Sequence, residues 1–113
     1  MPHCLIEHSN DLAPLSLLTA VYDGAKKSQL FSNADIKTRT RTLGFDDYQS
    51  GPIKAPFVHV TAKILSGRSL EQRTMLAQLI LAELEKLSLT ATSLTVEVLE
   101  IEKASYAKVV TSA

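Results

Sequence analysis

The chain opens on a short run of mixed polarity, His3-Cys4-Leu5-Ile6-Glu7, followed by Ser9, Asn10 and Asp11. Those three favour turns, so the pattern predicts a strand beginning almost at residue 2. Leu15, Leu18, Val21, Tyr22 and Ala25 then recur at helical spacing, with Pro14 in front of them. Proline suits the first helical turn, where no intrahelical N–H is needed, so a helix is predicted from here to near Leu30. Ile36 to Leu43 mixes β-branched residues with alternating polarity, the pattern of a short exposed strand or extended arm. In Phe57 to Ile64 the alternation is clean, with Val58, Val60, Ala62 and Ile64 on one face. Ser69 and Gln72 form a capping box, and Leu70, Arg73, Leu76, Ala77, Ile80, Leu84 and Leu87 follow at helical spacing. Ser93 to Ile101 alternates again and leaves a polar tail holding Tyr106 and Lys108.

The predicted order is β-α-β-β-α-β. Each helix crosses over between strands, so both can cover one face of a mixed four-stranded sheet in an α/β (α+β) domain. The other face is left for neighbouring subunits to cover, which points to a homo-oligomer. The halves repeat in element order without repeating in residues.

Composition narrows the picture further. The 113 residues are 45% hydrophobic and 21% charged, enough apolar content for one domain spanning residues 1–113 with a core of its own. Twelve basic residues balance twelve acidic ones, so the whole-molecule field offers no general attraction for nucleic acid or an anionic membrane. No apolar run reaches the about 20 residues of a membrane-spanning helix, and a secretory leader is not expected at the start. Cys4 is the single cysteine; it cannot pair within the chain and fits a reducing compartment, the cytoplasm.

Candidate chemistry begins at Pro2. Initiator methionine is normally removed before proline, and removal would leave a secondary amine at the chain terminus. An α-amino group titrates near about 7.7–8.0 when unperturbed, and burial or nearby positive charge lowers that value. Such an amine is a base near neutral pH, able to take a proton from an enol hydroxyl and return it to carbon. That proton transfer completes a keto–enol tautomerisation without metal or organic cofactor.

Met1-Pro2-His3 with Leu5-Ile6-Glu7, then Ile36-Lys37-Thr38-Arg39, then Phe57 to Ile64, then Gly67-Arg68-Ser69-Leu70-Glu71-Gln72-Arg73 form an ordered set along the chain. The set resembles the 5-carboxymethyl-2-hydroxymuconate isomerase family of the tautomerase superfamily, from the terminus to about Ile101. The resemblance implies a tautomerase-like fold, a homotrimer and a Pro2 general acid/base. It also implies an unsaturated hydroxy-dicarboxylate or tricarboxylate substrate from aromatic catabolism. Where the family pattern carries a second arm arginine this chain has Lys37, a less directional carboxylate partner, which leaves the substrate's identity open.

A substrate with several carboxylates needs cationic clamps, and guanidinium binds carboxylate bidentately. Arg39, Arg41 and Arg68 are the candidates. Arg39 and Arg41 are two apart and share one side of a strand; the alternative for them is a solvated edge strand protected by charge. Arg68 follows Gly67 just before a helix start that itself favours anions, against the alternative of a plain surface arginine. Arg73 reads as an ion-pairing residue. His3 is placed to orient the amine or substrate, or to sit at a subunit contact; His59 reads as structural and His8 as part of the turn ending the first strand. No histidine or cysteine spacing matches a zinc site, and Cys4 reads as a buried core thiol. Two other functions compete: a tautomerase-like relative without the activity, and a small interaction module using Thr38-Arg39-Thr40-Arg41. Strongly salt-dependent nucleic-acid binding would mark the second.

Overall fold

The computed structural model describes residues 1–112. The predicted alternation becomes β1 (His3–Ser9), α1 (Pro14–Lys27), β2 (Lys37–Leu43), β3 (Phe57–Leu65), α2 (Leu70–Glu85) and β4 (Ser93–Ile101). The strands lie in the order β2-β1-β3-β4. β1 and β2 run parallel, β3 and β4 run parallel, and the central β1–β3 pair is antiparallel. Each helix therefore joins two adjacent parallel strands.

Register decides which residues face which way. His3 lies opposite Lys37 on one side and Lys63 on the other; Leu5 is flanked by Arg39 and Thr61, Glu7 by Arg41 and His59. Cys4, Ile6 and His8 alternate with these and are fully buried. The even-numbered face of β1 and β3 packs Cys4, Ile6, Val58, Val60, Ala62 and Ile64 against Leu17, Val21 and Ala25 of α1 and Leu76, Ile80 and Leu84 of α2. Burying a side chain of this size contributes about 1.5–3 kcal/mol. The odd-numbered face carries no helix.

α1 stops at Lys27, earlier than the helical spacing implies. The Ser28 hydroxyl donates to the Ala25 carbonyl at 2.6 Å, and Gln29 takes the left-handed conformation, φ 58°. The chain turns there without glycine, so the stop has no mark in the sequence. His8 also departs from expectation, lying within β1 rather than on a turn. Its buried ring is satisfied on both sides: Nδ1–H donates to the Ser9 carbonyl at 2.8 Å, and Nε2 accepts from the Thr42 hydroxyl at 3.1 Å. The Ser69–Gln72 box caps α2 as expected, with Gln72 N–H donating to Ser69 Oγ at 3.1 Å and Ser69 N–H donating to Gln72 Oε1 at 2.9 Å.

The helices meet at Gly24. A Cβ there would come 2.6 Å from Ile80 Cα, backbone that cannot rotate away. Gly24→Ala gains helix propensity of about 1 kcal/mol, but the clash forces α1 from α2 and overpacking costs about 1–3 kcal/mol. A lower urea midpoint is expected; a midpoint equal to wild type would show that the crossing has slack.

Candidate active site

The chain start lies at one end of the sheet, where β1 begins and β3 ends. An open cavity of about 330 Å³ lies there. Met1 forms one wall, and Leu30, Phe31 and Asp35, from the segment between α1 and β2, form another. Ile64, Arg68, Tyr106 and Lys108 also line it. Pro2, next to Met1, is fully buried, and its carbonyl accepts from Lys37 N–H at 3.1 Å. The terminal amine's pKa is lowered first by burial and then by Lys37, with Lys108 adding to the effect and Asp35 opposing it. Burial removes water from the ammonium and the lysines repel it.

Arg68 reaches this cavity because of Gly67. Gly67 sits at φ 121°, backbone that side chains rarely adopt, and it turns the chain between β3 and α2. The Arg68 guanidinium donates to the Leu30 carbonyl at 2.5 Å and lies 5.8 Å from the Phe31 ring centroid. One N–H thus ties the loop before α2 to the segment after α1, while the same side chain lines the cavity.

The other candidates lie apart from that wall. Arg39 donates to His3 Nδ1 at 3.2 Å. Guanidinium is donor only, so His3 Nδ1 is the acceptor and the ring proton is on Nε2, which meets Tyr106 Oη at 3.0 Å. His3 and Arg39 share the odd-numbered, uncovered face with Leu5. Arg41 shares that face too, opposite Glu7, and is exposed. The sequence expectation that Arg39 and Arg41 face the same side agrees with the register, but neither lines the Met1 cavity.

Burial first, then Arg39, lowers the pKa of His3. The unfolded ring therefore binds its proton at higher pH than the folded one. The stability this site contributes is full above the unfolded value near about 6.5 and is lost as pH falls below it. Wild-type protein is expected to lose urea resistance faster than His3→Gln on acidification from pH 7.5 to 5.5. Parallel losses in the two proteins would refute the depressed histidine.

Asp35 and Phe31 are cavity residues that sequence reasoning did not single out, and Tyr106 and Lys108 were named there only as members of a polar tail without a role. Tyr106 and Lys108 lie beyond the last strand, outside any periodic element that could have flagged them. Asp35 Oδ1 stands 3.8 Å from Lys108 Nζ, an ion-pair contact too long for a hydrogen bond, and the Asp35 backbone carbonyl accepts from Lys37 Nζ at 3.2 Å.

Away from the cavity, Cys4 is buried with its thiol pushed up to about 11, chiefly by burial, so it carries no thiolate near neutral pH. Arg73 faces Glu100 at 3.7 Å. His59 sits on the uncovered face between Thr95 at 2.6 Å and Glu97 at 2.5 Å. Among the described residues no group of three or more His, Cys, Asp or Glu is placed to hold a metal ion. No helix among them is long and apolar enough to cross a membrane.

The β-α-β-β-α-β order, the mixed four-stranded sheet and the two helices on one face constitute the tautomerase fold. No protein-family model matches the chain, and no curated protein matches it. Several solved structures do. Pt0534 inactivated by 2-oxo-3-pentynoate superposes with a TM-score of 0.80 at 18% identity, over 94% of this chain and 90% of that one. A fused 4-OT symmetric trimer gives 0.78 at 18% identity, over 90% and 87%. FG41 malonate semialdehyde decarboxylase inhibited by 3-bromopropiolate gives 0.77 at 13% identity, over 96% and 90%. At these identities the likeness is one of fold.

Proposed function

We propose that this protein is an isomerase that ketonises an unsaturated 2-hydroxycarboxylate of the 5-carboxymethyl-2-hydroxymuconate type, with the Pro2 amine as general acid/base after Met1 is removed. The observation that carries the reading is the position of the chain start. Met1 is a wall of the cavity that Arg68 also lines, and the Pro2 nitrogen is the atom bonded to it. Cleaving Met1 turns that nitrogen from an amide into a secondary amine beside the cavity, near the same Lys37 and Lys108 that lower the present terminal amine.

The proton balance is simple. The amine takes the proton of the enol hydroxyl, negative charge spreads over the dienolate, and the resulting ammonium delivers a proton to carbon to leave the ketone. Arg68 stabilises the charge as it develops, since a preorganised cation does most where charge appears in the transition state. Arg39, Arg41 and His3 complete the substrate contacts across a homotrimer. They stand on or beside the uncovered sheet face, which a neighbouring copy would approach; the fused 4-OT relative is a trimer. We place the protein in the cytoplasm, acting in the breakdown of aromatic compounds, without cofactor.

The test is a spectrophotometric assay with 2-hydroxymuconate-type dienols, on protein whose intact mass shows that Met1 is gone. Ketonisation faster than buffer alone is expected. Its absence in fully processed protein would move the assignment to a tautomerase-fold relative without this activity.

A further inference from the structure

We propose that the C-terminal tail completes the cavity at the chain start, with Lys108 holding the second carboxylate of a dicarboxylate whose first is held by Arg68, and Tyr106 fastening the tail. This deepens the proposed function and rests on its reading of the cavity as the substrate site.

After β4 the described residues of the tail have no regular structure but one short 3-10 turn, Lys103–Ser105. What seats it is side-chain chemistry at the beginning of the chain. The Tyr106 hydroxyl meets His3 Nε2 at 3.0 Å, and the two rings pack edge to face with centroids 6.1 Å apart at 61°. His3 is in turn held by Arg39 on its other nitrogen. The tail is thus fixed to the residue next to Pro2, and this brings Tyr106 and Lys108 to the cavity wall.

Lys108 there is only loosely engaged. Its ammonium stands 3.8 Å from Asp35 Oδ1, and both side chains are nearly half exposed, at 42% and 47%. A pair that wide and that wet contributes little, so an incoming carboxylate can take the ammonium from Asp35. Arg68 spends one N–H on Leu30, and a guanidinium has five. Two cations of the lining therefore keep donors for a ligand. Two cations, Arg68 and Lys108, line the cavity against one carboxylate, Asp35, and Lys37 stands just outside the lining, with its charge reaching the terminal amine along with that of Lys108. That balance suits a dianion better than a monoanion. The cavity, about 330 Å³, is at the small end of the range for small-molecule sites, the scale of a short-chain diacid.

Two inert probes separate this from the tautomerase reading, because neither can tautomerise: adipate, a saturated six-carbon dicarboxylate, and hexanoate, its monocarboxylate counterpart. Calorimetry on full-length protein is expected to show adipate binding that weakens about tenfold in Lys108→Met, the scale of one lost charge-assisted contact. Hexanoate binding should change less than about twofold, since it lacks the second carboxylate. Lys108→Arg should retain adipate affinity, and Tyr106→Phe, which frees the tail from His3, should weaken adipate but not hexanoate. Lys108 is exposed, so these variants keep the core intact. Adipate affinity unchanged in Lys108→Met, or no adipate binding to wild type, overturns the clamp. Dienol turnover measured alongside keeps the two ideas apart. Turnover with an unaffected Lys108→Met sinks the clamp alone, while a Lys108-dependent adipate site without turnover keeps the clamp and sinks the isomerase.

Discussion

Dienol turnover is expected to fall by about 10²- to 10⁴-fold in a form that keeps any residue in front of Pro2, the range that general acid–base groups contribute. The cause is electronic. In the retained form the Pro2 nitrogen is an amide, its lone pair shared with the Met1 carbonyl, and it cannot accept a proton at neutral pH. Substrate carboxylates would still find Arg68, so binding of an inert diacid should survive while kcat collapses. Pro2→Ala provides a milder comparison: once Met1 is removed it leaves a primary amine at the same place, and kcat should drop far more than KM rises. Equal turnover by the extended and processed forms would exclude the amine as the base.

Arg68→Ala is expected to cost about 1.5–3 kcal/mol in transition-state stabilisation, a fall of roughly 10- to 150-fold in kcat/KM, as for a lost hydrogen bond to a charged group. Both kcat and KM should suffer, because the guanidinium binds a carboxylate in the ground state and faces the dienolate as charge grows. Arg68 also has a structural role, since it satisfies the Leu30 carbonyl. Two measurements separate the roles. The urea midpoint reports the lost tie, and Arg68→Lys should recover charge but not the planar fork, giving intermediate kcat/KM. An unchanged kcat/KM in Arg68→Ala would remove Arg68 from the site.

Much of the architecture was legible along the chain. Phe57 to Ile64 states its strand and its buried face in one alternating run, and β3 buries Val58, Val60, Ala62 and Ile64 as that run implies. The Ser69–Gln72 box marks the start of α2 because capping is local chemistry, reaching only three residues. The end of α1 was not legible, since Gln29 adopts a conformation more often left to glycine. His8 was misplaced for a related reason: a histidine near a turn reads as exposed until both of its nitrogens are seen to have partners, one of them Thr42 on another strand.

The candidate site was legible only in its members. Pro2 and Arg68 could be named from residue type and position, but no spacing says that the start of β1 and the loop before α2 border the same cavity. Arg39 and Arg41 could be assigned a common side, while which side depends on how β2 registers against β1. The tail's place beside His3 joins residues 103 positions apart.

The sequence by itself therefore determined the elements, their order and the buried face of the clearest strand, because periodicity and capping are written within a few residues of one another. Only the tertiary structure decided that the chain start, Arg68 and the tail meet at one end of the sheet while Arg39 and Arg41 stand on the uncovered sheet face, outside the lining of that cavity. Strand register and tail docking are set by core burial and by partners distant in the chain, and such contacts leave no local pattern to read.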